Sequence, residues 1–160
     1  MLTPNDLMAF LAQNEIAGEI LFLDAPTPTV EAAALALDTL PERVAKSVLF
    51  TLPGEVVLAI TCGTQLIERR ALADAFGVGR KKVRLANAET VLRMTGYPVG
   101  TVPPFGHPQA LKTIIDPRVL DHAQIYAGGG AHNAMLRLEN SRDIVRVSGA
   151  LLLHLHNLPV

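Results

Sequence analysis

The chain has 160 residues, enough for one domain that buries its own core, and its 49% hydrophobic and 18% charged residues are a globular mix. The formal net charge of −1 excludes a global attraction to nucleic acid, so any RNA contact must come from a local basic patch. The single Cys62 excludes an internal disulfide, and no run approaches the ~18 apolar residues of a membrane span.

In chain order, Thr3 is placed to cap a helix with Pro4 at its first position, and Leu7, Met8 and Leu11 follow at helical spacing. This opening lacks the basic and apolar regions of a signal peptide, so a cytoplasmic location is expected. Glu19 to Asp24 reads as a strand, Ala25–Pro28 as a turn, and the Ala-rich Val30 to Asp38 as a helix. Lys46–Leu52, Pro53-Gly54 and Glu55–Thr61 read as a hairpin, apolar runs around a turn dipeptide. Leu66 to Phe76 is expected as a helix closed by Gly77, and Val83 to Leu85 as a short strand. Asn87 caps a helix that runs through Met94 and stops at Gly96. Thr113–Ile115, Gln124–Ala127 and Ala134–Glu139 read as strands, and Ser141 opens a last helix ending at Gly149. The order predicts an α/β protein of the α+β type, a mixed sheet flanked by helices. Regular βαβ repetition and a strand followed by GxGxxG are both missing, which argues against a Rossmann unit.

The segment Thr95–Gly106 holds three Gly and three Pro in twelve residues. Such a backbone is rigid yet sharply bent. It serves either chain reversal or the aiming of N–H groups at one point, as an oxyanion site requires. Lys46 opens an apolar strand, where it either snorkels to solvent or projects an ammonium into a cleft. Gly128-Gly129-Gly130 fits a bulged hairpin turn or the close approach of a ligand. The five His residues form no metal signature; His154 and His156 would share a strand face without a third ligand. Cys62 fits a buried small residue better than a nucleophile, and no Gly-x-Ser-x-Gly elbow exists.

Lys46-Ser47-Val48-Leu49-Phe50, Val83-Arg84-Leu85-Ala86, Thr95–Gly100, Pro103-Pro104-Phe105-Gly106 and Gly128–Gly130 occur in an order that resembles the YbaK and prolyl-tRNA synthetase-associated editing domain family. The resemblance covers roughly Thr29 to Ala150. It implies one editing domain over residues 1–160 and a partly barrel-like sheet, and the chain departs from it in a C-terminal extension, 151–160, past the family's usual ending. It implies trans-editing, the hydrolysis of mischarged aminoacyl-tRNA esters, commonly on proline tRNA, with no cofactor and no metal. The partners implied are the tRNA acceptor end and prolyl-tRNA synthetase, and either a monomer or a homodimer is compatible.

By the same resemblance Lys46 positions the acceptor end and carbonyl, and Gly100 and Pro104 match the ends of a Gly-x-x-x-Pro loop whose amides hold the aminoacyl group. Thr101, Val102, Pro103 and Phe105 complete that loop, and Gly128, Gly129 and Gly130 match a second pocket wall. His132 stands where family members differ, so the identity of the removed amino acid stays open. An activated ester needs position, an oxyanion partner and a water, and no protein nucleophile. Six of the chain's 14 Lys and Arg residues lie between Arg69 and Arg84, opposed there only by Asp74. Arg80, Lys81 and Lys82 are the expected phosphate contacts, although a charge run is commonly a solvated surface. The alternative is a module of the same fold that binds tRNA or a synthetase without hydrolysis, which would not need Lys46.

Overall fold

A computed structural model describes residues 1–156. Helix α1 (Pro4–Gln13) starts at Thr3, whose N–H and hydroxyl donate to Asp6 Oδ2 at 2.7 and 3.0 Å. After β1 (Gly18–Phe22), Thr29 Oγ1 accepts the Ala32 N–H and caps α2 (Val30–Ala36). The hairpin of β2 (Ala45–Leu52) and β3 (Glu55–Cys62) forms as expected around Pro53-Gly54. Then follow α3 (Arg69–Phe76), β4 (Arg84–Leu85) and α4 (Ala88–Thr95), the last capped by Asn87 Oδ1 on the Thr90 N–H. Next come β5 (Lys112–Ile115), β6 (Ile125–Gly128), β7 (Ala134–Leu138), α5 (Arg142–Ser148) and β8 (Leu151–Leu152).

The strands form two sheets, β1-β7-β6 and β4-β2-β3-β5-β8. The first is antiparallel; in the second β3, β5 and β8 run parallel. The partly barrel-like sheet expected takes the form of two sheets joined at one isolated bridge, Val44 to Tyr126, and the described residues close no barrel. Pleating sends Leu49, Leu58 and Ile60 into a main core with Leu7, Tyr97 and Leu136. Their neighbours Phe50, Val57 and Ala59 face the other way, against Leu72 of α3 and Leu155 of the tail. Burial on both faces explains why β3 reads as a continuous apolar run.

Two expectations fail locally. Leu66–Glu68 stays extended, and α3 begins only at Arg69. The Glu68 N–H donates to Leu155 O at 2.7 Å and Leu66 O is held by the His156 ring, so tail contacts override helix propensity. His154 and His156 do not share a strand face: β8 ends at Leu152, His154 is exposed and His156 is buried. The last residues of the 151–160 extension, 157–160, lie outside the described part.

Candidate functional site

A cleft of about 530 Å³ opens beside the bridge between the sheets. Its floor is the free edge of β2, because β4 pairs only with Phe50 and Thr51. Leu49 O accepts the Ala86 N–H at 3.0 Å, whereas Val44 O accepts the Gly63 N–H on the β3 side. Strand alternation therefore turns the backbone groups of Ser47 away from β3, into the cleft. Gly128 at the end of β6 and Ala33 and Met135 beneath α2 also line it.

Lys46 and Glu31 are the two charged side chains in the lining. Lys46 is half-buried and makes no ion pair or hydrogen bond among the described residues. An unpaired ammonium in a partly desolvated cleft acts more strongly on a nearby oxygen than one in water. The lining also holds Val99 and Gly100 of the turn Pro98–Thr101, closed by the Thr101 N–H on Pro98 O at 3.1 Å, with Gly100 at φ +83°. That left-handed third position makes a type II turn, which leaves the Gly100 N–H pointing outward. It donates to no atom among the described residues.

Behind the turn the chain is locked. The carbonyls of Thr101 and Val102 cross Gly128 so closely that a Cβ there would stand 2.9 and 2.4 Å from their oxygens. Gly130 N–H donates to Thr101 O at 3.0 Å, and the Phe105 ring stacks on Phe10 at 5.4 Å in the core. The His107 Nε2–H donates to Pro103 O at 2.9 Å, and burial holds that imidazole's pKa below its usual value, partly offset by this bond.

The family model of the aminoacyl-tRNA editing domain matches residues 24–144, three quarters of the chain. The chain belongs to that family. It is 28% identical over 111 residues to a proline–tRNA ligase of Desulfotalea psychrophila, a match covering 69% of this chain and 19% of the ligase. The uncharacterized protein YwhH of Bacillus subtilis is 26% identical over 121 residues, 75% of each chain. A crystal structure described as a candidate trans-editing enzyme for prolyl tRNA synthetase superposes with a TM-score of 0.88 at 24% identity. That superposition covers 99% of this chain and 100% of the other, and it shows the shared fold.

Of the residues singled out from the sequence, the editing domain brings Lys46, Gly100, Val102 and Gly128 to the cleft lining. Thr101, Pro103, Pro104 and Phe105 are buried and do not line it; they support the turn from behind. Gly129 and Gly130 are likewise buried away from the lining. A Cβ on Gly129 would come within 2.6 Å of the Ala134 carbonyl, and one on Gly130 within 3.0 Å of the Tyr97 ring. The triplet thus admits the protein's own backbone and a tight hairpin. His132 is exposed at the β6–β7 hairpin, and its carbonyl accepts the N–H of Thr27, a lining residue.

Arg80, Lys81 and Lys82 form an exposed single turn just before β4, whose Leu85 is at the rim. Thr27, Thr64 and Met135 also line the cleft and carried no motif of their own, and Ser47, which lines it too, entered only as the neighbour of Lys46 in its motif. Cys62 lies outside it, in a smaller neighbouring pocket with Arg118, and burial pushes its thiol up to about 11. Among the described residues no group of three His, Cys, Asp or Glu is placed to hold a metal ion. No helix among them is long and apolar enough to cross a membrane.

Proposed function

We propose that this editing domain hydrolyses the ester of mischarged aminoacyl-tRNA in trans, with proline tRNA as the preferred carrier and residues 1–160 acting as one unit. The carrying observation is one cleft lined both by Lys46, whose ammonium has no ion pair among the described residues, and by Gly100, whose N–H has no acceptor among them. A water adds to the ester carbonyl, and the oxyanion that forms is held by the Gly100 N–H. Lys46 holds the ribose end near the carbonyl, and collapse breaks the carbon–oxygen bond to the ribose, whose oxygen takes the proton given up by the attacking water as the free amino acid leaves. Ser47 is adjacent to Lys46 on one strand, so their side chains point to opposite faces and form no dyad.

Amino-acid choice falls to the lining between α2 and β7, where Val30, Ala33, Val44 and Met135 leave a mostly apolar space. Arg80, Lys81 and Lys82 carry acceptor-end phosphates toward the rim beside Leu85. The match to part of a proline–tRNA ligase supports the choice of tRNA and a synthetase as partner.

The test is deacylation of proline tRNA charged with Cys, Ala, Ser, Thr or Pro by the purified chain. Removal of at least one wrong amino acid, with prolyl-tRNA spared and Lys46→Ala inactive but folded, is expected. Failure to hydrolyse any mischarged tRNA, while binding it, leaves a tRNA-binding module instead.

A further inference from the structure

The family match ends at residue 144, yet the segment beyond it reaches the wall of the cleft. Asp116, almost fully buried, anchors that segment: its Oδ2 accepts the Leu155 N–H at 2.9 Å, while Oδ1 accepts the Arg118 N–H at 2.9 Å. The next residue, His156, is buried and satisfied on both ring nitrogens. A carbonyl can only accept, so Nδ1 carries the hydrogen donated to Leu66 O at 2.8 Å. In the neutral ring Nε2 therefore accepts, and the Thr61 hydroxyl donates to it at 2.6 Å.

One group held by this ring lines the site and the other adjoins its lysine. Leu66 lines the cleft. Thr61 is the cross-strand partner of Lys46 and stands on the same face of the β2–β3 hairpin. One imidazole thus ties the strand pair carrying the ammonium to the extended segment walling it.

We propose that His156 is a positioning residue for Lys46, acting through Thr61 and Leu66, so that the C-terminal segment completes the editing site. The proposal rests on the deacylase reading above for its kinetic arm and is independent of it for its structural arm. Without the ring, the Thr61 hydroxyl and Leu66 carbonyl lose this partner, and the middle of the Gly63–Glu68 segment loses its tie to β3 while its ends stay bonded at Gly63 and Glu68. A displacement of about 1 Å at a positioning group lowers rates by up to ~100-fold.

Three variants of the full chain test this: His156→Ala, His156→Gln and Thr61→Val. A Gln amide carries one donor and one acceptor and can satisfy Leu66 O and the Thr61 hydroxyl together. On the mischarged tRNA that the wild type hydrolyses, His156→Ala should lower the single-turnover rate roughly 10- to 100-fold with apparent affinity within about twofold. Thr61→Val should slow it similarly, and His156→Gln should recover most of the rate. Amide hydrogen exchange across Gly63–Glu68 should quicken in the Ala variant and return toward wild type in the Gln variant.

Wild-type rate and exchange in His156→Ala overturn the proposal, and so does a Gln variant as slow as Ala. If His156→Ala does not fold, the Gln and Thr61→Val variants decide it by the same readouts. Should the wild type hydrolyse nothing, the deacylase reading falls, and the exchange comparison alone confirms or overturns the tie between His156 and the cleft wall.

Discussion

Gly128→Ala adds one methyl group at the point where two stretches of backbone cross. The new Cβ would lie 2.4 Å from the Val102 carbonyl oxygen, 2.8 Å from its carbon and 2.9 Å from Thr101 O. Ordinary contact begins near 3.4 Å, so one backbone must retreat by about 1 Å. Neither side can rotate away, since the obstructing atoms are main chain. The β6 side is fixed by its ladder with β7, so the Thr101–Val102 segment moves and takes the Gly100 turn with it.

Overpacking of this kind costs about 1–3 kcal/mol, and in a chain of this length that lowers Tm by roughly 2–12 °C. The larger effect should be on turnover, because displacing a positioned amide by ~1 Å costs up to ~100-fold in rate. Thermal unfolding and single-turnover deacylation at saturating enzyme measure the two separately. For thermal unfolding alone Gly100→Ala is the control: its Cβ would meet nothing within 4 Å, leaving only the ~1–2 kcal/mol of a side chain at positive φ. A Gly128→Ala protein with wild-type Tm and rate would refute the crossing as the reason for glycine there.

Replacing Arg80, Lys81 and Lys82 together by Glu should weaken tRNA binding and flatten its salt dependence, by ~0.7–0.9 in logarithmic slope for each phosphate no longer neutralised. The rate on bound substrate should barely change; unchanged affinity and slope would make the patch ordinary surface. Tyr97 is fully buried, its hydroxyl finds no hydrogen-bond partner among the described residues, and burial first, then Asp6, pushes its pKa up to about 12. Tyr97→Phe should therefore raise stability by about 1 kcal/mol, or Tm by roughly 2–4 °C, and a lower Tm would mean the hydroxyl is paired. The His107 imidazole is depressed in the folded state, chiefly by burial. Its contribution is thus present above the unfolded pKa of about 6.5 and disappears as pH falls through the lower folded value. Urea midpoints of the wild type should drop from pH 7 to 5 more steeply than those of His107→Gln, and parallel profiles would contradict this.

Local chemistry made most elements legible. The Thr3, Thr29 and Asn87 starts and the Pro53-Gly54 hairpin carry their signals within a few residues, and the structure keeps them. The start of α3 was not legible, because Leu66–Glu68 is helix-compatible by composition and is held extended by residues almost ninety positions away. The division into two sheets was equally hidden. Strand patterns state which residues are apolar, but a single bridge between Val44 and Tyr126 decides where the ladder stops and a cleft begins.

The glycine triplet shows why the site was only partly readable. Glycine reports that something approaches the backbone closely, and it does not say whether that is a ligand or the chain itself. At Gly128 the approaching group is the Val102 carbonyl, so one residue both lines the cleft and admits the loop that forms its opposite wall. Thr101, Pro103, Pro104 and Phe105 are buried behind the Gly100 turn, where Thr101 bonds Pro98 and Gly130. Hydrolysis of an activated ester asks for little reactive chemistry and for close control of position. On the proposed mechanism, a motif rich in Gly and Pro with one lysine is therefore sufficient, and most of its residues act without touching substrate. In the tail, a histidine without any motif bonds both Thr61, the cross-strand neighbour of that lysine, and Leu66 of the cleft lining, and on the proposal above it too acts without touching substrate.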